Sequence, residues 1–325
     1  MSQQHLIQAK RVVPPWRGSL VIALLGLIWW FLLPDQLGLL VKVAYTCLLV
    51  ISLDLVVGVA GLPSLGHAAI FGVGAYAAGY FALHISGDPL IGLLIGGLAG
   101  GIAAFISGLF VLRYEGFTFL MLTIAIAQII QNLASKFRDY TGGDDGLTGF
   151  NMKPIAGMFP FDLEGKTAAL YALGALVIGY YLCRRIVDSP FGLAVRGIHE
   201  NRARMAALGT PIYLRLLTIY TFAGIFAGLA GAISAQTNAI VALDSLSFSL
   251  SAEILVMLVL GGVGRLSGAV IGAVIFTLLH HTAASINPYH WLFVISFALM
   301  FVVMFPPRKI VKLIGLKFGF GKGVK

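Results

Sequence analysis

Three ionisable side chains, Lys42, Asp54 and Glu253, stand inside long apolar runs of this chain. A charge turned towards lipid is costly, so each requires a partner or a wet cavity. Asp54 and Glu253 are the groups that could carry a coupling proton or line a solute path. Both also lie within two turns of the end of their run, where an interfacial or structural charge is tolerated, and the two readings stand together. Lys42 reads as structural or interfacial. Ser64, His67 and Tyr76 fall in a glycine-rich stretch from Gly61 to Gly79, and Thr123 and Gln128 in a later apolar run with Gln131 and Asn132. Ser64, His67, Tyr76, Thr123 and Gln128 are the candidates to line a solute path through the third and fifth spans, the alternative being a packed structural helix and, for Thr118 and Thr123, a bond to the preceding turn.

A different chemistry, that of docking, is written outside the apolar runs. Arg184-Arg185-Ile186-Val187-Asp188-Ser189-Pro190-Phe191-Gly192 precedes a segment from Leu193 to Leu208 that closes on Gly209. Ser189-Pro190 is a helix-start signal and Gly209 a stop signal. If 193–208 is one helix, Ala194, Ile198, Met205 and Leu208 share a stripe with Asn201 among them. Arg196, Glu200 and Arg204 are spaced four apart and can pair along another face. A short amphipathic helix can lie flat in lipid headgroups. The mixed charge and the interrupted stripe fit better a helix held in the groove of a cytoplasmic partner.

Other chemistries find no support. No GxxxxGK[ST] phosphate loop occurs, and Gly319-Phe320-Gly321-Lys322-Gly323 lacks its spacing. HExxH, paired CxxC and clustered His/Cys patterns are missing, and Thr141-Gly142-Gly143-Asp144-Asp145-Gly146 lacks the alternating ligands of a calcium loop. His280-His281 reads as an interfacial polar end. No metal, no directly bound cofactor and no catalytic constellation is expected, so an enzyme is disfavoured. Cys47 and Cys183 fall well apart in the expected layout, against a disulfide.

The elements that must position these residues are membrane helices. Of 325 residues, 59% are hydrophobic and 11% charged, where a soluble domain carries about a quarter charged. Ten spans are expected, at 19–33, 37–57, 61–83, 89–112, 117–134, 167–182, 216–240, 246–262, 267–284 and 290–305, giving an all-α polytopic bundle. The run from Ser19 to Leu33 follows Lys10, Arg11 and Arg17 like a signal peptide, but no small-residue cleavage site follows, and it reads as a retained helix. With both ends inside, 17 of the 22 basic residues fall on the cytoplasmic face, as the positive-inside rule requires. The net charge of +9 therefore marks topology rather than nucleic acid. The layout is a cytoplasmic segment 1–18, a membrane domain 19–305 with outer loop 135–166 and cytoplasmic loop 183–215, and a basic cytoplasmic tail 306–325. Five spans on each side of the outer loop admit inverted halves. Pro63 and the repeated glycines make the third span the expected broken helix, and Gly261-Gly262-Val263-Gly264 reads as a loop or a re-entrant bend.

In order along the chain, the motifs resemble the M-type permease subunit of branched-chain amino acid ABC importers. Leu53-Asp54-Leu55-Val56-Val57-Gly58, Ser64-Leu65-Gly66-His67-Ala68-Ala69 and Gly72-Val73-Gly74-Ala75-Tyr76 carry the first part, and Thr141-Gly142-Gly143 with Gly146 matches its outer loop. Ser189-Pro190-Phe191-Gly192, Arg196, Glu200-Asn201, Ala206 and Leu208-Gly209 resemble its ATPase-coupling segment, followed by Ala227-Gly228-Leu229-Ala230-Gly231-Ala232 and Gly261-Gly262-Val263-Gly264. Asp54 stands where that family usually has Asn, Pro63 where it has a polar residue, and His199 where arginine is common. The resemblance implies a bacterial inner-membrane permease paired with a second, related permease. Two cytoplasmic ATP-binding subunits, which use the ATP, and a periplasmic solute-binding protein would complete the importer. Two alternatives remain beside it: a stand-alone secondary transporter or channel for a small solute such as urea or an amide, and a structural membrane scaffold.

Overall fold

The computed structural model describes residues 15–155, 159 and 165–286. The expected tenth span at 290–305, the tail, most of segment 1–18 and part of the outer loop lie outside the described residues. The apolar runs become helices because backbone N–H and C=O groups in hydrocarbon must satisfy one another. The helices are α1 (Pro15–Leu32), α2 (Leu37–Asp54), α3 (His67–His84), α4 (Pro89–Val111), α5 (Gly116–Lys136), α6 (Arg138–Thr141), α7 (Lys166–Val187), α8 (Pro190–Glu200), α9 (Arg202–Ala207), α10 (Ile212–Asn238), α11 (Phe248–Gly261) and α12 (Leu266–Ile286). Among the described residues, six stretches are long and apolar enough to cross a membrane: Pro34–Val59, Pro89–Val111, Gly116–Lys136, Lys166–Val187, Ile212–Asn238 and Leu266–Ser285. Trp16–Leu32 and Phe248–Gly261 are shorter apolar helices. At 14 residues, α11 rises about 21 Å, short of a hydrocarbon core of roughly 30 Å.

The two middle helices are α2 and α10, whose most apolar windows are 78% and 72% buried, whereas α5 at 22% lies on the periphery. Lipid provides no hydrophobic force between helices, so close backbone approach must hold them. Glycine supplies it where α3, α4 and α10 meet. A Cβ at Gly100 of α4 would lie 2.5 Å from the Gly224 carbonyl oxygen, and one at Gly228 of α10 would strike the Gly96 carbonyl. At the far end from the arginine-rich turns, β1 (Leu147–Thr148) pairs antiparallel with β2 (Ile240–Val241). Leu147 and Val241 pack there with Phe150, Ala75 and Ala235.

Two expectations are corrected. The segment 193–208 is not one helix: it breaks at Asn201 into α8 and α9. Asn201 is extended (φ −159°) and caps the second piece, its Oδ1 accepting from Arg204 N–H at 2.9 Å. The break takes Glu200 and Arg204 off a common helix, and among the described residues Arg196, Glu200 and Arg204 form no ion pair with one another. Arg202 instead pairs with Glu115 in the α4–α5 turn, and partial burial draws its pKa below the ordinary arginine value. The start of the third span also moves: the break expected there occupies residues 61–66, which are irregular, and α3 begins at His67.

Candidate functional site

The break between α2 and α3 is built residue by residue. After Asp54 the helix widens into a π-type turn, Leu55–Val59, a form often found at functional sites. Gly61 then takes φ +73°, which favours glycine, and Pro63 cannot supply the N–H that a continued helix needs. Hydrogen bonds tie the loop that follows to α2, α5 and α11, while His67 Nδ1 and Asp54 Oδ2 are buried without a partner among the described residues. Leu65 N–H donates to Thr123 Oγ1 of α5 at 3.3 Å, and Thr123 donates to the Leu120 carbonyl at 2.7 Å. Gly66 N–H donates to Ser64 Oγ at 3.4 Å. His67 Nε2 and Ser52 Oγ lie 2.8 Å apart across the break, and Ala68 N–H donates to Ser251 Oγ of α11 at 3.1 Å.

Ser64, His67 and Thr123 thus come together in one junction and are buried to 3% exposure or less. Asp54 belongs to the same junction and is fully buried. Its Oδ1 accepts from Gly264 N–H at 2.7 Å. A Cβ at Gly58 would meet both Asp54 and the Gly264 backbone. The α11–α12 turn is therefore seated on the end of α2. Gly261, Gly268 and Gly272 bring the two arms of that hairpin into backbone contact.

The arginine-rich segment packs against this junction. Ser189 Oγ accepts from Gly192 N–H at 3.2 Å, with Pro190 as the first helical residue, so α8 starts where Ser-Pro signals it. Gly192, Val195 and Ile198 form its buried face, rather than the stripe of Ala194 and Ile198 continuing to Leu208. Phe191 lies under the Arg215 guanidinium, 5.5 Å from ring centre to Cζ. The ring of His199 covers Gly61, where a Cβ would approach its Cγ to 2.6 Å. The other side faces away: Glu200, Asn201, Ala206 and Gly209 are exposed, Leu193 is 61% exposed and Leu208 72%. Ala206, Arg202, Glu115 and Tyr213 line a cleft of about 410 Å³ between α9 and the α4–α5 turn.

The remaining sequence candidates are scattered. Gln128 is exposed on α5, as is Asn132 one turn on. The Tyr76 hydroxyl is buried with no hydrogen-bond partner among the described residues, and its ring packs on the cluster beneath β1 and β2. Glu253 lines a separate cavity of about 240 Å³ with Lys42, Thr277 and His280. His280, expected as an interfacial helix end, is thus a cavity wall. Helical spacing signals this site only after the fact: Lys42, Tyr45, Thr46 and Leu49 share one face of α2, and Leu250, Glu253, Ile254 and Met257 one face of α11.

Long apolar helices that carry buried polar residues and a bonded helix break define a helical integral membrane protein. The family model described as "Branched-chain amino acid transport system / permease component" matches residues 36–304, and the chain belongs to that family. It is 26% identical over 301 residues to the high-affinity branched-chain amino acid transport system permease protein LivM of Escherichia coli K12, covering 84% of this chain and 70% of the relative. LivM of Salmonella typhimurium is 24% identical, over 98% and 83% of the two chains. The galactose/methyl galactoside import permease protein MglC of Escherichia coli is 27% identical over 62% and 61%. No solved structure matches the chain.

Proposed function

We propose that this chain is the membrane-spanning subunit of an ATP-driven importer of branched-chain amino acids or related small solutes in a bacterial inner membrane. The ATP is hydrolysed on separate cytoplasmic subunits, and a second permease subunit and a periplasmic solute-binding protein complete the assembly. The layout we propose has about ten membrane segments in two inverted halves of five, with both ends in the cytoplasm and α11 a segment too short to cross the core by itself. The arginine-rich turns then lie inside, as positive charge requires, and the β1–β2 ribbon lies outside.

One observation carries the reading: α8 is seated by its apolar face while His199 rests on Gly61, at the start of the helix break. Force applied to the exposed side of α8–α9 reaches residues 61–66 through that contact, and from there Thr123 of α5 and Ser251 of α11. Leu193, Leu208 and the cleft beside Ala206 are the surfaces offered to the ATP-binding subunit, since a helix docks by apolar anchors in a groove. Ser189, Phe191, Gly192, Arg196, Glu200, Asn201 and Gly209 shape that element. Ser64, His67 and Thr123 act from behind the path surface, positioning the break, and Asp54 holds it to the α11–α12 turn. Gln128 and Asn132 on the exposed face of α5 supply polar groups that favour a wet path or a second permease over lipid, and Tyr76 supports the outer ribbon.

Co-purification in mild detergent tests the assembly: ATP-binding and second permease chains should accompany this one, and their loss on Leu208→Glu should leave the membrane partner attached. A chain that purifies alone and moves solute down a gradient without ATP contradicts the proposal.

A further inference from the structure

The cavity bounded by α2, α11 and α12 lies apart from the helix break and from the exposed face of α5. Its ionic lining is unbalanced: Asp244 and Glu253 bring two carboxylates against the single ammonium of Lys42. Among the described residues no ion pair joins these groups. Lys42 and Asp244 are exposed and Glu253 is half-buried, so the charges stand towards the mouth. Aromatic rings line the space in two pairs, Tyr45 with Phe71 at 6.4 Å between centres and Phe276 with His280 at 6.5 Å. Two of the lining hydroxyls are already bonded: Ser245 Oγ donates to the Ala242 carbonyl at 2.7 Å, and Ser234 Oγ accepts from Asn238 Nδ2 at 3.2 Å. Thr277 differs. It is 3% exposed, and its Oγ1 has no hydrogen-bond partner among the described residues. A buried hydroxyl is ordinarily paired, so an orphan on a cavity wall marks where a polar ligand atom fits. At about 240 Å³ the space is smaller than pockets for drug-sized ligands, roughly 300–1,000 Å³.

We propose that this cavity binds a small primary alkylammonium ion. Asp244 draws the cation to the mouth, the Glu253 carboxylate takes the ammonium, and Thr277 Oγ1 accepts one of its N–H bonds. The alkyl chain packs on Leu49, Ile254 and Met257. Lys42 offsets one of the two carboxylates, so a ligand with one positive charge brings the lining to neutrality. A carboxylate on the ligand would restore the imbalance, which sets a zwitterion or an acid at a disadvantage. The rings act in the same direction, because an ammonium is attracted to an aromatic face. A metal ion is served less well: it demands a shell of oxygen ligands, and the apolar wall gives it nothing. Lys42 has a defined part in this account. It is the competing cation, so removing its charge should tighten binding. The inference goes beyond the transport reading, does not depend on an ATP-binding subunit, and is tested on the permease chain by itself.

The measurement is isothermal titration of 3-methylbutylamine into the purified full chain in nanodiscs, without ATP. Saturable binding is expected. Leucine, which is the same amine with a carboxylate added, should bind about tenfold or more less tightly, and 4-methylpentanoate, which lacks the ammonium, should not compete. Sodium chloride at the amine's concentration should not displace it. Glu253→Gln should weaken binding about tenfold or more, Asp244→Asn and Thr277→Val by less, and Lys42→Met should strengthen it about threefold. Absence of saturable binding, leucine binding as tightly as the amine, displacement by sodium at the same concentration, or weaker binding by a folded Lys42→Met chain would each overturn the proposal. Because the analogue series uses the unaltered chain, a variant that fails to fold leaves the test decided by the analogues. Failure here with intact ATP-driven uptake would remove this site alone, whereas amine binding without such uptake would remove the transport reading alone.

Discussion

The backbone N–H of Gly264 donates a 2.7 Å hydrogen bond to Oδ1 of Asp54. This bond joins the end of α2 to the turn of the α11–α12 hairpin and closes the floor under the helix break. The acid is fully buried, yet the bond requires only an acceptor. Asp54→Asn keeps that acceptor and removes a buried charge, so its thermal unfolding in detergent should stay close to that of the parent. Asp54→Ala leaves the Gly264 N–H unpaired and should cost about 1–3 kcal/mol. Equal stability of the two variants would show that the bond contributes nothing.

Gly61 and His199 should behave as a coupled pair. Gly61→Ala places a Cβ at φ +73° and against the imidazole, with an expected cost of about 1–3 kcal/mol. Adding His199→Ala removes the ring and should restore part of that loss, leaving the backbone strain. A double-mutant cycle on thermal stability reads the interaction directly. Strict additivity would show that α8 does not bear on the break.

Ala206 tests the cytoplasmic surface separately from the fold. Its side chain is exposed and lines the cleft beside Arg202 and Glu115, so Ala206→Trp should leave the melting temperature and the elution profile unchanged. ATP-dependent uptake by the assembled transporter should fall about tenfold or more, equivalent to about 1.4 kcal/mol or more of coupling. Unchanged uptake would remove the docking role from this cleft.

Gly228 and Gly174 form a packing pair of opposite outcome. A Cβ at Gly228 would strike the Gly96 carbonyl, whereas at Gly174 nothing lies within 4 Å. Gly228→Leu should be destabilised by more than the roughly 1–3 kcal/mol typical of an overpacked core, seen as loss of monodisperse protein. Gly174→Leu should purify like the parent.

Much of the helix layout was legible because hydrocarbon leaves the backbone few options, so an apolar run alone forecasts a helix. A break in the third span was legible too, through Pro63 and the repeated glycines, although its place before His67 was not. The split of 193–208 was missed although Asn201 carried the signal: an Asn three residues before Arg204 is a helix cap, and periodicity across it had no helix to describe. The buried face of α8 shifted accordingly to Val195 and Ile198. The junction of Ser52, His67, Thr123 and Ser251 was only half visible. A polar side chain in an apolar run announces that it needs a partner, but the partner lies up to 183 positions away. The cavity between Lys42 and Glu253 was hidden for the same reason, its walls coming from segments more than 200 residues apart in the chain.

The most direct test of the coupling account is solute uptake into proteoliposomes that hold this chain with its co-purified partners, against liposomes that hold this chain alone. Uptake should require ATP together with the ATP-binding subunits, and the single chain should show no flux under an imposed proton or solute gradient. Gradient-driven flux through the single chain, insensitive to ATP, would contradict the account.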